Sequence, residues 1–390
     1  MSGPGGLPAV RRAFARSERG RNGAVGSASV IGLSSLYPWL VIAATVPALL
    51  AIAAVVYLTV RYSPVITRIF EAQPLFMPLK LKASDRGESV EFLAEDGVRL
   101  RGSYLRARTD EQAGLIVYCH EYLSDRWSFQ PYLDHLRDLG FSLFTFDFRN
   151  HGSSDVDPEH APLQWTTDRE TSDLKGALAY LRSRDDSDPA GFGLFGVSRG
   201  GTTALIVAAG EPDVWGVITD GAFPTQGTMV SYMLRWAEIY VPSAFLRGLI
   251  PMWLFGFLAW RGRRGTEVAL NCRFPGVESA VARLAPRPWL MIHGERDTYI
   301  GPQIARSLFN HGQEPKELWL VPSAKHNRCR ETAPEAYANK LVGFLERYAP
   351  RRPVMVPAEV VSRHTRVASD FAHPLVAAAL AREVAAPIPG

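Results

Sequence analysis

Cysteine is scarce: the 390 residues hold three, Cys119, Cys272 and Cys329. No C-x-x-C spacing links them, so neither a disulfide framework nor a cysteine-built zinc site is written into the chain. One bridge, Cys272 to Cys329, is left open for an oxidising compartment; the alternative is free thiols packed as small hydrophobes. Strong net charge is missing too, since 43 Lys and Arg stand against 39 Asp and Glu, for +4. The basic residues form no stripe interleaved with aromatics, which argues against a nucleic-acid partner. They gather in "RRAFARSERGRN" near the N-terminus and in "RGRRG" at 261–265. Both clusters adjoin apolar sequence, which fits an anionic membrane surface better.

A second absence is local. Between Arg21 and Arg61 there is no charged residue, and within that gap "LYPWLVIAATVPALLAIAAVVYLTV" (36–60) is almost wholly apolar. As a helix, 25 residues reach roughly 37 Å, enough to cross a hydrocarbon core of about 30 Å. Tyr37, Trp39, Tyr57 and Tyr62 fit interfacial anchors. A cleaved signal peptide is the rival, with "AIA" at 51–53 as its cleavage site, but the apolar run continues past that site and exceeds a usual signal core. A buried core helix would rarely lack any polar face. The expectation is a single-pass N-terminal membrane anchor and a membrane localisation. The arginines flanking it favour only slightly the N-terminus inside. Residues 1–35 read as a disordered basic arm, 61–86 as a linker and 351–390 as a tail without a motif.

Residues 87–350 read as one domain. Alternation on both sides of Asp96-Gly97 predicts a hairpin. Strands and helices then alternate, with strands at 114–120, 141–148, 191–197, 215–223, 288–294 and 317–322. That pattern predicts an α/β fold with a mostly parallel sheet covered on both faces. Residues 224–287 break the alternation and read as a cap insertion. Its apolar run 248–260 is too short to span a bilayer. Packing inside the cap is the favoured reading; a cap dipping into the membrane interface is the other.

Chemistry enters at "GLFGVSRGG", 193–201. Ser198 follows a strand and precedes a small-residue helix, the setting in which G-x-S-x-G forms a nucleophile elbow. The sharp turn requires Gly196 and Gly200 to lack side chains. A serine hydroxyl needs a base, and the base needs an orienting group. "MIHGERDTYIGP" presents Asp297 after the penultimate strand, and "LVPSAKHNRC" presents His326 after the last. The order Ser, Asp, His, each at a strand's C-terminal end, suits a catalytic triad. The N–H of Arg199 is the first oxyanion donor. His120-Glu121 opens like a zinc-protease H-E-x-x-H, but position 124 is Ser, so no metal site is expected. No cofactor is implied.

Through "CHEYLSDRW", "DFRNHGSSD", "GVSRGG", "HGERDTYIGP" and "SAKHN", residues 88–349 resemble the α/β-hydrolase superfamily. The resemblance implies the α/β-hydrolase fold and an acyl-enzyme route. It carries the second oxyanion donor onto the N–H of Tyr122. Glu121 stands where the family usually has Gly, and Asn150 where Gly is commoner. His151 reads as structural, and Asp220 is the alternative acid. The function expected is a serine hydrolase, membrane-anchored, cleaving carboxylic esters, with lysophospholipid- or monoacylglycerol-like substrates suggested by anchor and cap. The expected partners are a small-molecule or lipid ester and membrane lipids. A thioesterase, acyltransferase or peptidase would use the same triad. A non-catalytic protein binding membrane or a partner through its cap is the remaining alternative. A chain beginning near Ser84 is expected to stay soluble and turn over short esters.

Overall fold

The computed structural model describes residues 33–72, 78–83 and 87–351. Most of the expected N-terminal arm and almost all of the tail lie outside them. The chain divides into two compact units, Met1–Val56 and Tyr57–Gly390.

One helix, Leu33–Glu71, carries the apolar run. Its stretch Pro38–Glu71 includes an 18-residue window of mean hydropathy 2.5 with none of it buried, which is long and apolar enough to cross a membrane. The helix passes Pro47 and Pro64 and does not stop at Arg61, so residues 61–71, expected in a linker, are helical. The cause is tertiary. Ile66 and Phe70 are buried, and the Phe70 ring lies 5.2 Å from Trp165 and 4.8 Å from Phe274. These partners belong to the second unit, as do Ile66 and Phe70 themselves.

The second unit is built on an eight-stranded sheet ordered β1-β2-β4-β3-β5-β6-β7-β8. Its strands are β1 (Glu88–Leu93), β2 (Arg99–Leu105), β3 (Gly114–Cys119), β4 (Phe141–Phe146), β5 (Phe192–Val197), β6 (Val214–Asp220), β7 (Trp289–Gly294) and β8 (Lys316–Val321). The β1–β2 hairpin turns at Asp96-Gly97, and β2 meets β4 antiparallel; every other pairing is parallel. Strands β3, β4, β5 and β7 are buried along their whole length, as helices on both faces require. Two apolar layers result, one around Leu174, Leu194 and Met291, the other around Tyr132, Phe195 and Leu341. The expected α/β-hydrolase fold is the one observed.

The sheet order places β3 between β4 and β5, so the chain reverses its direction of winding there. Connections on the two sides leave a crevice at the C-terminal ends of β3 and β5. Tyr122 follows β3 and Ser198 follows β5, so both belong to that crevice.

Of the residues expected to form a cap, 224–287, the helix Val277–Ala282 instead joins the sheet's apolar core through Val277 and Val281; the remaining helices are Thr225–Tyr240, Ala244–Gly248 and Met252–Ala269. In the last of these Leu254 and Leu258 are buried, while Trp253, Phe257 and Trp260 are exposed. The apolar run is therefore only partly cap core. All three cysteines are free and buried, so the bridge allowed between Cys272 and Cys329 does not form.

Candidate active site

Ser198 sits between β5 and the helix Arg199–Ala208, at φ 52° and ψ −117°. A non-glycine residue there is strained. The turn is held by its surroundings: the Ser198 N–H donates to Asp220 O at 2.7 Å. A Cβ on Gly196 would stand 2.5 Å from the Gly200 backbone, and one on Gly200 would stand 2.5 Å from His120 O. Only glycine lets strand, helix and the β3 loop approach this closely. The elbow aims the hydroxyl at the helix N-terminus, whose partial positive charge favours a developing anion.

Ser198 Oγ lies 3.0 Å from His326 Nε2, and His326 Nδ1 lies 2.6 Å from Asp297 Oδ2. The other carboxylate oxygen, Asp297 Oδ1, accepts the N–H groups of Tyr299 and Ile300, each at 2.8 Å. Three residues separated by 29 and 128 positions in pairs thus form one hydrogen-bonded line. Burial alone would raise the Asp297 pKa, but the charge and hydrogen bond of His326 outweigh it, and the carboxyl ends below its usual value. For His326, burial disfavours the imidazolium, yet the facing Asp297 carboxylate wins and raises the pKa above 6.5. Asp220, the alternative acid, accepts from the Tyr337 hydroxyl at 3.0 Å, whereas His326 is bonded to Asp297. His293 supports the acid loop, its Nε2–H donating to Ile300 O at 2.8 Å.

Behind the serine lies a buried polar network. Arg199 donates to Leu163 O at 2.8 Å and reaches Glu170 Oε1 at 3.3 Å and His151 Nε2 at 3.2 Å. Burial and the Arg199 charge keep His151 neutral, so its Nδ1–H donates to Arg149 O and its Nε2 accepts. His151 is structural here. The Arg199 guanidinium also lies over the Tyr122 ring, 5.2 Å from its centre. The side chains of the two residues expected to supply oxyanion donors are thereby stacked on each other. Neither the Tyr122 nor the Arg199 backbone N–H has an acceptor among the described residues. Leu123, next to Tyr122, adopts φ 60° in the turn after β3.

Sequence reasoning left Glu121 without a role. Its Oε1 accepts the Leu79 N–H at 3.0 Å, and its Oε2 accepts from Asn327 Nδ2. Ser124 Oγ completes the clamp by donating to Leu79 O at 2.5 Å. One buried carboxylate therefore ties the segment leaving the apolar helix to the β3 loop and to the residue after His326. Burial raises its pKa above the ordinary carboxylate value. Tyr299 was also missed: its ring lies 5.5 Å from His326 and 6.3 Å from Tyr232 of the cap, which in turn approaches Trp165. No signal in the sequence singles out these aromatics. No group of His, Cys, Asp and Glu able to hold a metal occurs among the described residues.

Fold and site together define the class, an α/β hydrolase. The sequence model of the Alpha/beta hydrolase family matches residues 116–340, more than half of the chain, and the protein belongs to that family. Among known proteins it is similar to the uncharacterized protein YfhR of Escherichia coli K12, 28% identical over 264 residues, which cover 66% of this chain and 80% of YfhR. The α/β hydrolase domain-containing protein WAV2 of Arabidopsis thaliana is 22% identical over 298 residues, or 75% of this chain and 88% of WAV2. Among solved structures, the esterase Pf2001 of Pyrococcus furiosus superposes with a TM-score of 0.52 at 20% identity, over 71% of this chain and all of Pf2001. The α/β hydrolase GrgF of Penicillium sp. sh18 gives 0.50 at 19% identity, over 67% of this chain and 98% of GrgF.

Proposed function

We propose that the chain is a membrane-anchored serine hydrolase that cleaves carboxylic esters, including lipid-like ones, through an acyl-enzyme. The observation that carries this reading is the Ser198–His326–Asp297 line at 3.0 and 2.6 Å, set on a strained elbow. Ser198 Oγ attacks the ester carbonyl carbon while His326 Nε2 takes its proton. Asp297 holds the Nδ1–H tautomer and stabilises the imidazolium that forms. The Tyr122 and Arg199 N–H groups receive the oxyanion, a contribution of about 10²–10³-fold per donor. His326 then protonates the leaving alcohol. Water repeats the sequence on the acyl-enzyme, releasing the acid and restoring Ser198. No step calls for a metal or cofactor.

The long apolar helix supports the anchor, and the cap's exposed apolar side chains support a lipid-like substrate. Hydrolysis of a p-nitrophenyl ester series from C2 to C16 by the wild type, with Ser198→Ala alongside, tests the proposal. Turnover that disappears in the variant is expected; turnover retained by a folded Ser198→Ala protein overturns it.

A further inference from the structure

Residues 225–270 carry five arginines and two glutamates, so the cap segment is basic as well as apolar. In the helix Met252–Ala269 residues Leu254, Leu258 and Gly262 are buried. Trp253, Phe257, Trp260 and Arg264, spaced i, i+4, i+7 and i+11, are exposed on another face. The order is the reverse of a water-facing stripe, because three large apolar residues precede the first charge. Phe245, Leu249 and Trp253 are 75, 64 and 61% exposed. Such a surface is more than scattered single residues and marks a contact site.

What covers it follows from the neighbouring helix. The uncharged run ends at Val60, and Arg61 is the first charge. Just beyond, Ile66 Cβ lies 2.8 Å from where a Cβ on Gly262 would stand, and Ser63 Oγ lies 3.8 Å from the same position on Gly265. Thr266 Oγ1 donates to Thr67 Oγ1 at 3.4 Å. Ser63 and Ile66 are only about 3 and 8 Å past Arg61 along the helix. The polar layer on each side of a hydrocarbon core is itself about 5–8 Å thick. With Arg61, the first charge after the apolar run, at the membrane surface, a cap helix packed on Ser63 and Ile66 falls within the thickness of the headgroup layer.

We propose that the cap's exposed face, formed by Phe245, Leu249, Trp253, Phe257 and Trp260, is a second membrane-contact surface that rests in the headgroup layer of an anionic bilayer. This rests on the anchor reading above and deepens it. Aromatic and aliphatic side chains enter the boundary between headgroups and acyl chains, while Arg61 and Arg261 meet lipid phosphates. The surface belongs to the cap whose Tyr232 approaches Tyr299 beside His326, so the catalytic end of the sheet is held close to its lipid supply.

The test uses the full chain in vesicles of phosphatidylcholine and phosphatidylglycerol, with an environment-sensitive fluorophore on one introduced cysteine and a spin-labelled phosphatidylcholine as quencher. The native thiols are buried, and unsubstituted protein provides the background. Phe257→Cys probes the cap, Leu50→Cys the span and Glu346→Cys an exposed site on the last helix. Quenching at positions 257 and 50 but not at 346 is expected, with weaker quenching at 257 when phosphatidylglycerol is left out. Quenching at 50 with none at 257 overturns the cap proposal and leaves the anchor standing. No quenching at 50 removes the anchor reading and the proposal with it. A signal at 257 that follows protein density and ignores the quencher identifies a second copy of the chain as occupant, and also overturns it. The variant Trp253→Ser/Phe257→Ser/Trp260→Ser keeps turnover of a water-soluble short ester and loses about 10-fold on an ester embedded in vesicles. Equal turnover on both would contradict the proposal.

Discussion

Replacing Glu121 with alanine should unfasten the loop that carries Tyr122 while leaving Ser198, His326 and Asp297 themselves unchanged. The side chain accepts from Leu79 N and from Asn327 Nδ2, and is 5% exposed. Alanine leaves two donors without an acceptor, at about 1–3 kcal/mol each, with the lower end fitting the half-buried Leu79. The larger effect is on rate. Tyr122 follows Glu121 directly, and a displaced oxyanion donor costs about 10²–10³-fold in kcat. KM for a short ester should move little, because a small acyl group gains almost nothing from the loop before attack. Glutamine should recover most of the loss: its carbonyl can accept from Leu79, and the Asn327 amide can turn its oxygen toward the new NH2. That oxygen, Asn327 Oδ1, is buried and has no hydrogen bond in the present arrangement. The assay is steady-state hydrolysis of p-nitrophenyl butyrate, with thermal melts to separate unfolding from lost positioning. A folded Glu121→Ala enzyme with wild-type kcat would refute the clamp, and Glu121→Gln as slow as the alanine variant would refute the hydrogen-bond account of it.

Because Asp297 raises the His326 pKa above 6.5, and the base works only when neutral, the acid limb of kcat/KM should lie above pH 6.5 in the wild type. Asp297→Asn should move that limb to lower pH and reduce kcat by about 10⁴-fold, as a pH–rate profile will show. Ser198→Gly, which relieves the φ 52° strain, should abolish turnover and raise stability by about 1 kcal/mol in denaturant titrations; an unchanged or lower midpoint would contradict the strain argument. The expectation that a chain beginning near Ser84 stays soluble and turns over short esters gains one revision, that it does so less well than a longer chain. The shorter chain lacks Ile66 and Phe70, buried here and each contributing about 1.5–3 kcal/mol, and it lacks the Leu79 partner of Glu121. Reduced stability and short-ester turnover relative to a chain beginning at Tyr57 are expected; equal values would sink that revision.

The three residues of the Ser198–His326–Asp297 line were legible because each obeys a local rule. Ser198 lies in a strand–glycine–helix pattern, and Asp297 and His326 each follow a buried apolar strand in the order the sheet demands. The hairpin at Asp96-Gly97 and the alternation of strands and helices were legible for the same reason. What was not legible depends on pairings between distant positions. Glu121 reads only as a departure from a motif until Leu79, 42 positions earlier, and Asn327, 206 later, are brought to it. The helix end at Glu71 was missed because the loss of apolar continuity at Arg61 marks where a hydrocarbon core would end, not where packing against Trp165 and Phe274 ends. The cap run 248–260 has a helical period, but periodicity cannot say which face looks outward.

A Ser198 nucleophile activated by His326 is open to labelling by an active-site fluorophosphonate. Wild type and Ser198→Ala are treated side by side, and the adduct is located by mass spectrometry. One phosphonyl group is expected, on Ser198, absent from the variant and formed more slowly in His326→Ala. A folded wild type that stays unlabelled, or an adduct on another residue that persists in Ser198→Ala, would contradict Ser198 as the nucleophile.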